Sequence, residues 1–414
     1  MNRISRTNRL RIAVDLTPML SGGANGGVKP VILEFIRALQ GLQDPGFDFC
    51  FITARSAGAE IRAIATGRDE TVCLGSAKAR RIVRPGLFGR KRIDLLYAPF
   101  GMVRFPDIGV PIVSMVVDLL HRDYPHSLPA AERQHRESYF AKMVVCADRF
   151  QVISDYTGER LAHHYDVPAH KIFRTYLPIQ DRLKPSTDAI GPANRFFFYP
   201  ANYWPHKNHE ILLIAYQIYR HQAGSTAWDL VLTGGDDPRR LALQDLAQRL
   251  GIARHVLFKG HMQEREFARL FSAASGLTFP SLHEGFGIPP LEAMKLGVPV
   301  VTSDAGSLRE VVSQAGFLVD PRKPIELAAA MQKLASSEKL QVDLRRRGFE
   351  RAKCFSFQSE VERLADSFVA TAALAKRWTW DERVRRRFAL LQSGSLIRWR
   401  AAAGRVYRFL RDRV

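Results

Sequence analysis

Cysteine is scarce in this chain of 414 residues: four (Cys50, Cys73, Cys146, Cys354) lie far apart, with no Cys-x-x-Cys pair. That spacing excludes a zinc ribbon and a disulfide scaffold, and it fits a reducing compartment. Long apolar runs are also missing. The longest, residues 109–120, is twelve residues and holds Asp118, which is too short for a membrane span and suits a buried strand. The basic N-terminus is followed by an apolar run that Asp15 cuts short, so no signal peptide or anchor is expected. The Gly-x-Gly-x-x-Gly fingerprint is absent, which argues against a dinucleotide-dependent oxidoreductase. Acid is in short supply, with 41 Asp and Glu against 61 Lys and Arg, a net charge of +20. Such an excess calls for an acidic partner, surface or substrate. At 46% hydrophobic residues, wholesale disorder is excluded.

What is present is a rhythm of short apolar runs followed by helical patterns. In the first half the runs are 11–16, 47–53, 94–99, 111–117 and 149–154, and a glycine-rich turn at 21–27 precedes a helical pattern over 28–39. Runs at 195–201, 228–235, 255–260, 276–280, 298–303 and 316–320 repeat the rhythm, with a helix expected at about 208–222. The expected fold class is α/β: two Rossmann-like, doubly wound domains facing a cleft, over 1–185 and 190–370. A polar, turn-rich linker is expected at 182–194. Residues 375–414 carry twelve Lys and Arg against three Asp and Glu, a net of +9. Leu396, Trp399, Ala403, Val406 and Leu410 recur there at three- and four-residue spacing with arginines between, the pattern of a basic amphipathic helix.

Chemistry concentrates in residues 280–312. Glu284 sits in a loop and Glu292 in the following helix, eight positions on. Gly285 and Gly287 let backbone approach a ligand, and Pro289 and Pro290 suit a first helical turn. The helix end is then a site for phosphate or oxyanion, with Glu292 able to hold a ribose diol and Glu284 a sugar's hydroxyls. Asp236 and Asp237 read as helix caps.

This segment resembles the Glu-x7-Glu signature of retaining, mannosyltransferase-like GT-B glycosyltransferases of family 4. The similarity extends through 199–216, 231–235, 255–281, 303–321 and 355–368. It implies that Glu284 contacts the donor sugar and Glu292 the nucleotide ribose, with the amides of Phe286, Gly287 and Ile288 against the sugar and diphosphate. Lys207 is the implied neutraliser of the diphosphate. Where many members carry an arginine five residues earlier, this chain has Asn202, which keeps a donor and loses the charge. Gly26 and Gly27 fall in the implied phosphate-side loop. Members often carry His-Asp after the strand at 111–117; here Asp118 matches and Val117 does not. Either Val117 alters donor choice or His121 compensates, and Asp118 or His121 would orient the acceptor.

The resemblance implies a metal-independent hexosyltransferase without a cofactor, taking a nucleotide-diphosphate sugar as donor. The absence of any Asp-x-Asp pair gives no indication of a metal clamp. The implied acceptor is a glycan or lipid-linked glycan in bacterial surface-polysaccharide synthesis, with mannose favoured on family grounds. Rival readings are a GT-B sugar-nucleotide epimerase and a non-enzymatic basic nucleic-acid-binding protein, although nucleic acid is not the expected partner. The tail is open to three readings: a solvated extension, an anionic membrane surface, or a partner. A second basic run, 78–92, holds seven positive residues and no acid. The expected location is cytoplasmic, peripheral at the inner face of the membrane.

Overall fold

The computed structural model describes residues 9–20, 27–74, 91–106, 109–177, 183, 191, 195–235, 237–384 and 386. Most of the linker, most of 78–92 and, in the basic tail, residues 385 and 387–414 lie outside them.

Strands such as Phe196–Pro200, buried at its first four residues, are apolar on both faces because helices cover both sides of a parallel sheet. The first sheet holds β1 (Leu10–Leu16), β2 (Phe47–Ala54), β3 (Glu70–Leu74), β4 (Leu95–Ala98), β5 (Ile112–Val116), β6 (Arg149–Val152) and β7 (Ile172–Arg174). Their order is β3-β2-β1-β4-β5-β6-β7, parallel throughout. The second sheet holds β8 (Phe196–Pro200), β9 (Asp229–Thr233), β10 (Val256–Lys259), β11 (Gly276–Phe279), β12 (Val300–Ser303) and β13 (Gly316–Val319). Its order is β10-β9-β8-β11-β12-β13, again all parallel. Every strand expected from the sequence is present. β3 and β7 were not anticipated; both are short edge strands of mostly half-buried residues.

The helices that position the site are α1 (Val28–Gly41), α2 (Ala130–Cys146), α3 (Asp155–Tyr165), α4 (His209–Ala223), α5 (Arg239–Arg249), α6 (Glu264–Ala273), α7 (Ile288–Lys295), α8 (Leu308–Val312), α9 (Pro324–Ser336), α10 (Glu338–Lys353) and α11 (Phe357–Ala372). Each sheet reverses its strand order once, at β1/β4 and at β8/β11. In open α/β sheets the ligand crevice opens at the carboxyl ends of the strands flanking such a switch point.

The helix α11, expected to belong with the second sheet, buries its apolar face against the first. Phe368 meets Tyr97 with ring centroids 4.9 Å apart and Phe47 at 6.4 Å, and Phe357 meets Phe35 at 5.7 Å. The chain end therefore crosses back to the first domain. It stays there: Arg386 is bonded to Asp148 and to the Val110 carbonyl, and lies 4.6 Å from the Trp378 ring centroid. Asp148 and Val110 precede β6 and β5. The root of the basic tail is thus fixed at the edge of the first sheet away from the crevice. No described helix is long and apolar enough to cross a membrane.

Candidate functional site

Lys207 follows β8 and Glu284 follows β11, the two strands that flank the second switch point. Their side chains meet, Lys207 Nζ donating to Glu284 Oε1 at 2.5 Å. The turn that carries Lys207 is held from three directions. Tyr199 donates its hydroxyl to the Lys207 carbonyl at 2.6 Å, and the Leu282 amide donates to the His206 carbonyl at 2.7 Å. Asn208, left-handed at φ 62°, uses its amide group to bond the carbonyls of Pro280 (3.0 Å) and Pro321 (2.7 Å). Asparagine is among the few residues that adopt this conformation readily. The ion pair is thus built on ordered backbone, with side chains only 15% and 14% exposed. Burial opposes ionisation of Glu284, but Lys207 outweighs it and holds the carboxyl below the ordinary range.

The loop after Glu284 touches the other domain. A Cβ on Gly285 would fall 1.8 Å from the Val117 carbonyl oxygen, so only glycine allows this approach. The Gly285 carbonyl accepts from the hydroxyls of Ser154 (2.7 Å) and Thr157 (3.2 Å) at the start of α3. Glu310 on α8 accepts from the amides of Asp155 (2.8 Å) and Tyr156 (3.1 Å). Gly287 has φ +108°, a conformation that glycine alone takes without strain, and α7 starts immediately after it. Pro289 and Pro290 have no N–H, so the helix end offers the amides of Gly287 and Ile288 and fewer donors than the sequence pattern implies. Gly27, before α1, comes within 3.4 Å of the Ile288 side chain when a Cβ is built on it. The first switch point of one sheet therefore faces α7 of the other. Gly26 lies outside the described residues.

Phe286 is buried, its ring 5.8 Å from those of Tyr176 and Phe355; it serves as a core side chain and its carbonyl accepts from Ser307. Glu292 is 2% exposed inside α7. Asn202 stands exposed on the loop after β8 and makes no side-chain hydrogen bond among the described residues, so it is not drawn to the ion pair. Asp237, in contrast, behaves as expected: its side chain accepts from the Arg239 amide at the start of α5.

Asp118 reaches the same place from the first domain. It accepts from Arg136 Nη1 at 2.8 Å and from the Leu120 amide at 3.0 Å. Burial opposes its charge, and Arg136 together with His283, His206 and the Leu120 amide overcomes it, keeping the carboxyl below its usual range. His121 does not join it as a cleft residue. Its ring is buried against Phe140 (4.5 Å between centroids), and its Nε2 bonds the Tyr165 hydroxyl at 2.8 Å. Burial pushes its pKa down to about 4.

Two histidines stand nearer. His206 precedes Lys207 and His283 precedes Glu284, both almost fully buried. Among the described residues His206 Nδ1 and both ring nitrogens of His283 lack a hydrogen-bond partner, and His283 Nδ1 lies 3.7 Å from Asp123 Oδ2. Burial lowers the pKa of His206 to about 4, with Lys207 adding to it, and lowers His283 against the pull of Asp118 and Asp123. Buried polar atoms are rarely left unsatisfied, so these neutral imidazoles present open donor and acceptor positions beside Asp118, Lys207 and Glu284. The sequence signal for His283 was its place one residue before a carboxylate in a strand-to-helix loop. A lone histidine on an apolar run reads as core, which hid it.

Residues 184–351 match the family model for glycosyl transferases group 1. Among curated relatives, a D-inositol 3-phosphate glycosyltransferase of Streptomyces avermitilis is 27% identical over 57% of this chain and 54% of its own length. O-antigen chain mannosyltransferase B of Escherichia coli is 27% identical over 57% of this chain and 64% of its own. O-antigen chain mannosyltransferase RfbU of Salmonella typhimurium is 29% identical over 44% and 50%. The chain thus spans about half to two thirds of these relatives. Among solved structures, sucrose-phosphate synthase from Thermosynechococcus elongatus superposes with a TM-score of 0.68 at 20% identity, over 88% of this chain and all of that one. The Anabaena Alr3699/HepE structure with UDP and glucose gives 0.66 at 16% identity, over 87% of this chain and all of that one. Over residues 184–351 the chain is thus similar to the group 1 glycosyltransferases, and as a whole it has the GT-B fold.

Proposed function

We propose that this protein transfers a hexose, with mannose favoured, from a nucleoside-diphosphate sugar to a glycan or lipid-linked glycan acceptor, retaining anomeric configuration and using no metal. The observation that carries this reading is the Lys207–Glu284 pair at the β8/β11 switch point, beside the α7 end and opposite Asp118. The donor diphosphate lies on Lys207 and the Gly287 and Ile288 amides, with Gly27 beside it, and Glu292 takes the ribose diol. Glu284 holds the sugar's hydroxyls. As the bond between the anomeric carbon and the diphosphate oxygen breaks, negative charge grows on the leaving group, and one well-placed donor there is typically worth ~3–4 kcal/mol. The departing oxygen takes the acceptor hydroxyl's proton while that hydroxyl's oxygen bonds the anomeric carbon on the same face. Asp118 orients the acceptor.

The E. coli and Salmonella relatives are named O-antigen chain mannosyltransferases, which supports surface-glycan synthesis as the setting. The basic tail places the enzyme on an anionic membrane surface, where each Lys or Arg adds about 1 kcal/mol, at the cytoplasmic face. A thermal-shift screen of GDP, UDP and their sugars tests the donor, because a ligand that binds only the folded state raises the melting point. Glu284→Gln should weaken the response to the sugar nucleotide more than to the free diphosphate; equal loss for both assigns Glu284 to folding. Flotation on anionic vesicles of a chain ending at residue 386, which keeps the Arg386 anchor, tests the tail. Undiminished binding removes it from the account.

A further inference from the structure

Asp123 ties the 120–127 turn of the first domain to α3, with its side chain 4% exposed. Its Oδ1 accepts from Arg160 Nε at 2.7 Å and lies 2.7 Å from His164 Nε2, while Oδ2 accepts from the Tyr156 hydroxyl at 3.1 Å. A carboxylate offers about four acceptor positions, so Oδ2 keeps one. His283 of the second domain stands at that position, its Nδ1 3.7 Å away. Its ring contacts those of Tyr124 (5.8 Å between centroids) and Tyr156 (5.9 Å). The separation from Oδ2 is too long for a hydrogen bond, and among the described residues neither ring nitrogen makes one. Both nitrogens are buried, so the imidazole is placed to act on the facing carboxylate and not on a ligand in the crevice.

We propose that His283 and Asp123 form a proton-operated latch between the domains: when the donor diphosphate settles on Lys207, the imidazole takes one proton from solvent and its Nδ1–H closes onto Asp123 Oδ2. The latch rests on the transferase reading for its trigger. It goes beyond that reading by assigning the coupling between donor and domain contact to one pair of side chains.

The charges around the ring set the direction. From the first domain it faces Asp118, which is held by Arg136 of α2, and Asp123, which is held by Arg160 and His164 of α3. From its own domain it faces Glu284, Lys207 and His206. Burial is the largest influence and Lys207 adds to it. Against the three carboxylates they keep His283 below its ordinary pKa, and neutral near pH 7. Burial also opposes the charge of Asp123, but Arg160 and His164, with His283 adding, hold that carboxyl below its usual range.

A diphosphate on Lys207 cancels that cation and brings negative charge, and both changes favour the imidazolium. Once protonated, the ring carries hydrogen on both nitrogens, and Nδ1 gains a charge-assisted bond of about 2.7–2.9 Å. Drawing the pair in from 3.7 Å moves the 281–285 loop toward the 120–127 turn. Two contacts already cross the interface beside it: the Gly285 carbonyl with Ser154 and Thr157, and Arg322 Nη2 on the Tyr124 hydroxyl at 3.0 Å.

The test uses the full chain and two measurements. Titration calorimetry with GDP-mannose and UDP-glucose, whose diphosphates gain no proton near pH 7, counts protons taken up on binding when run in buffers of different ionisation enthalpy. Wild type should take up about half a proton or more near pH 7, so its affinity should rise about threefold or more per unit as pH falls from 8 to 6.5. His283→Gln should take up none and give a flat profile. His164→Gln, at the same carboxylate, should behave as wild type. Small-angle scattering of the free chain reads the latch without donor. Acidification from pH 8 to 5 should shift wild type toward a more compact form and leave His283→Gln and Asp123→Asn unchanged, with His206 and His121 still neutral at pKa values of about 4. Should a variant fail to fold, the proton count and the compaction of wild type decide alone. Binding without proton uptake, uptake retained in His283→Gln, or no compaction on acidification overturns the latch. Compaction without binding of either sugar nucleotide keeps the latch and sinks the transferase reading instead.

Discussion

Removing Lys207 isolates the Glu284 carboxylate. Two unit charges 2.5 Å apart attract by about 6–7 kcal/mol at an effective dielectric of 20, and the desolvation of both groups offsets part of that. Losing one partner of a buried pair leaves about 3–5 kcal/mol of destabilisation; because both side chains keep some exposure, the low end applies. Lys207→Met should therefore lower the melting point by about 6–12 °C in a domain of this size. Glu284→Gln removes the stranded charge, so Lys207→Met/Glu284→Gln should recover most of the loss, since replacing both partners is often close to neutral. The pH dependence has a definite sign. In the wild type Glu284 titrates below its ordinary value, so its contribution is full above the unfolded pKa and is lost as pH falls through the folded one. In Lys207→Met burial is opposed only by His206 and the Ser281 hydrogen bond, and the same group titrates higher than in the wild type. The gap between the two proteins is widest near pH 7 and closes toward pH 4. Urea or thermal melts of the four proteins across that range form the cycle. Additive losses in the double variant, or a gap independent of pH, would refute the coupling.

Gly285→Ala forces the backbone away from the Val117 carbonyl, 1.8 Å from the added carbon, at about 1–3 kcal/mol; small-angle scattering should show a more open molecule, and an unchanged profile with unchanged donor response would count against a tight contact. His283→Leu should leave the melting point unchanged or raised, because among the described residues its buried nitrogens make no hydrogen bond and only the 3.7 Å contact with Asp123 is lost, while the sugar-nucleotide response falls about tenfold; a lowered melting point would mean that the imidazole is satisfied within the fold. Asp15, 1% exposed, has its pKa raised to about 6 by burial, partly countered by Thr17. A raised carboxyl contributes fully below its unfolded pKa and loses stability as pH rises through the folded value, so Asp15→Asn should be stabilised by about 2–3 kcal/mol at pH 8 and equal to wild type near pH 4. A destabilised variant at pH 8 would show that the charged form is the one the fold needs.

The strands flanking both switch points were legible in the sequence because parallel strands buried on two faces are near-continuous apolar runs. β3 and β7 were not, since edge strands of three to five half-buried residues leave no such run. The pairing of Glu284 with Lys207 could not be read from a separation of 77 residues; the family resemblance supplied each residue but gave them different ligand groups to hold. The crossing of α11 was hidden for a related reason: an amphipathic helix states that one face is covered and is silent about which sheet covers it. His206 was legible as the neighbour of Lys207, whereas His283 was hidden because burial without a hydrogen-bond partner is a property of the packed structure alone.

The loops that hold the charged pair also hold the domains together, and this limits how the site can work. Lys207 and Glu284 belong to the second sheet, yet the residue after Glu284 gives its carbonyl to Ser154 and Thr157 of the first. A diphosphate that draws Lys207 away from Glu284 shifts the charge on the segment that makes this contact. Donor binding and domain contact are then linked, and linkage is reciprocal: whatever tightens the Gly285 contact changes donor affinity by the same factor. α11 narrows the range of motion further. Its Phe368 is fixed among first-domain rings, while Phe355, two residues before the helix, packs on Phe286 in the donor-side loop. Any opening of the cleft must therefore be accommodated near 355–357 and near Tyr176, whose ring touches both Phe286 and Phe355. The aromatic contact of Phe286 is thus where the loop after Glu284, the approach to the crossing helix and the Tyr176 segment meet, and that accounts for a buried phenylalanine between two glycines.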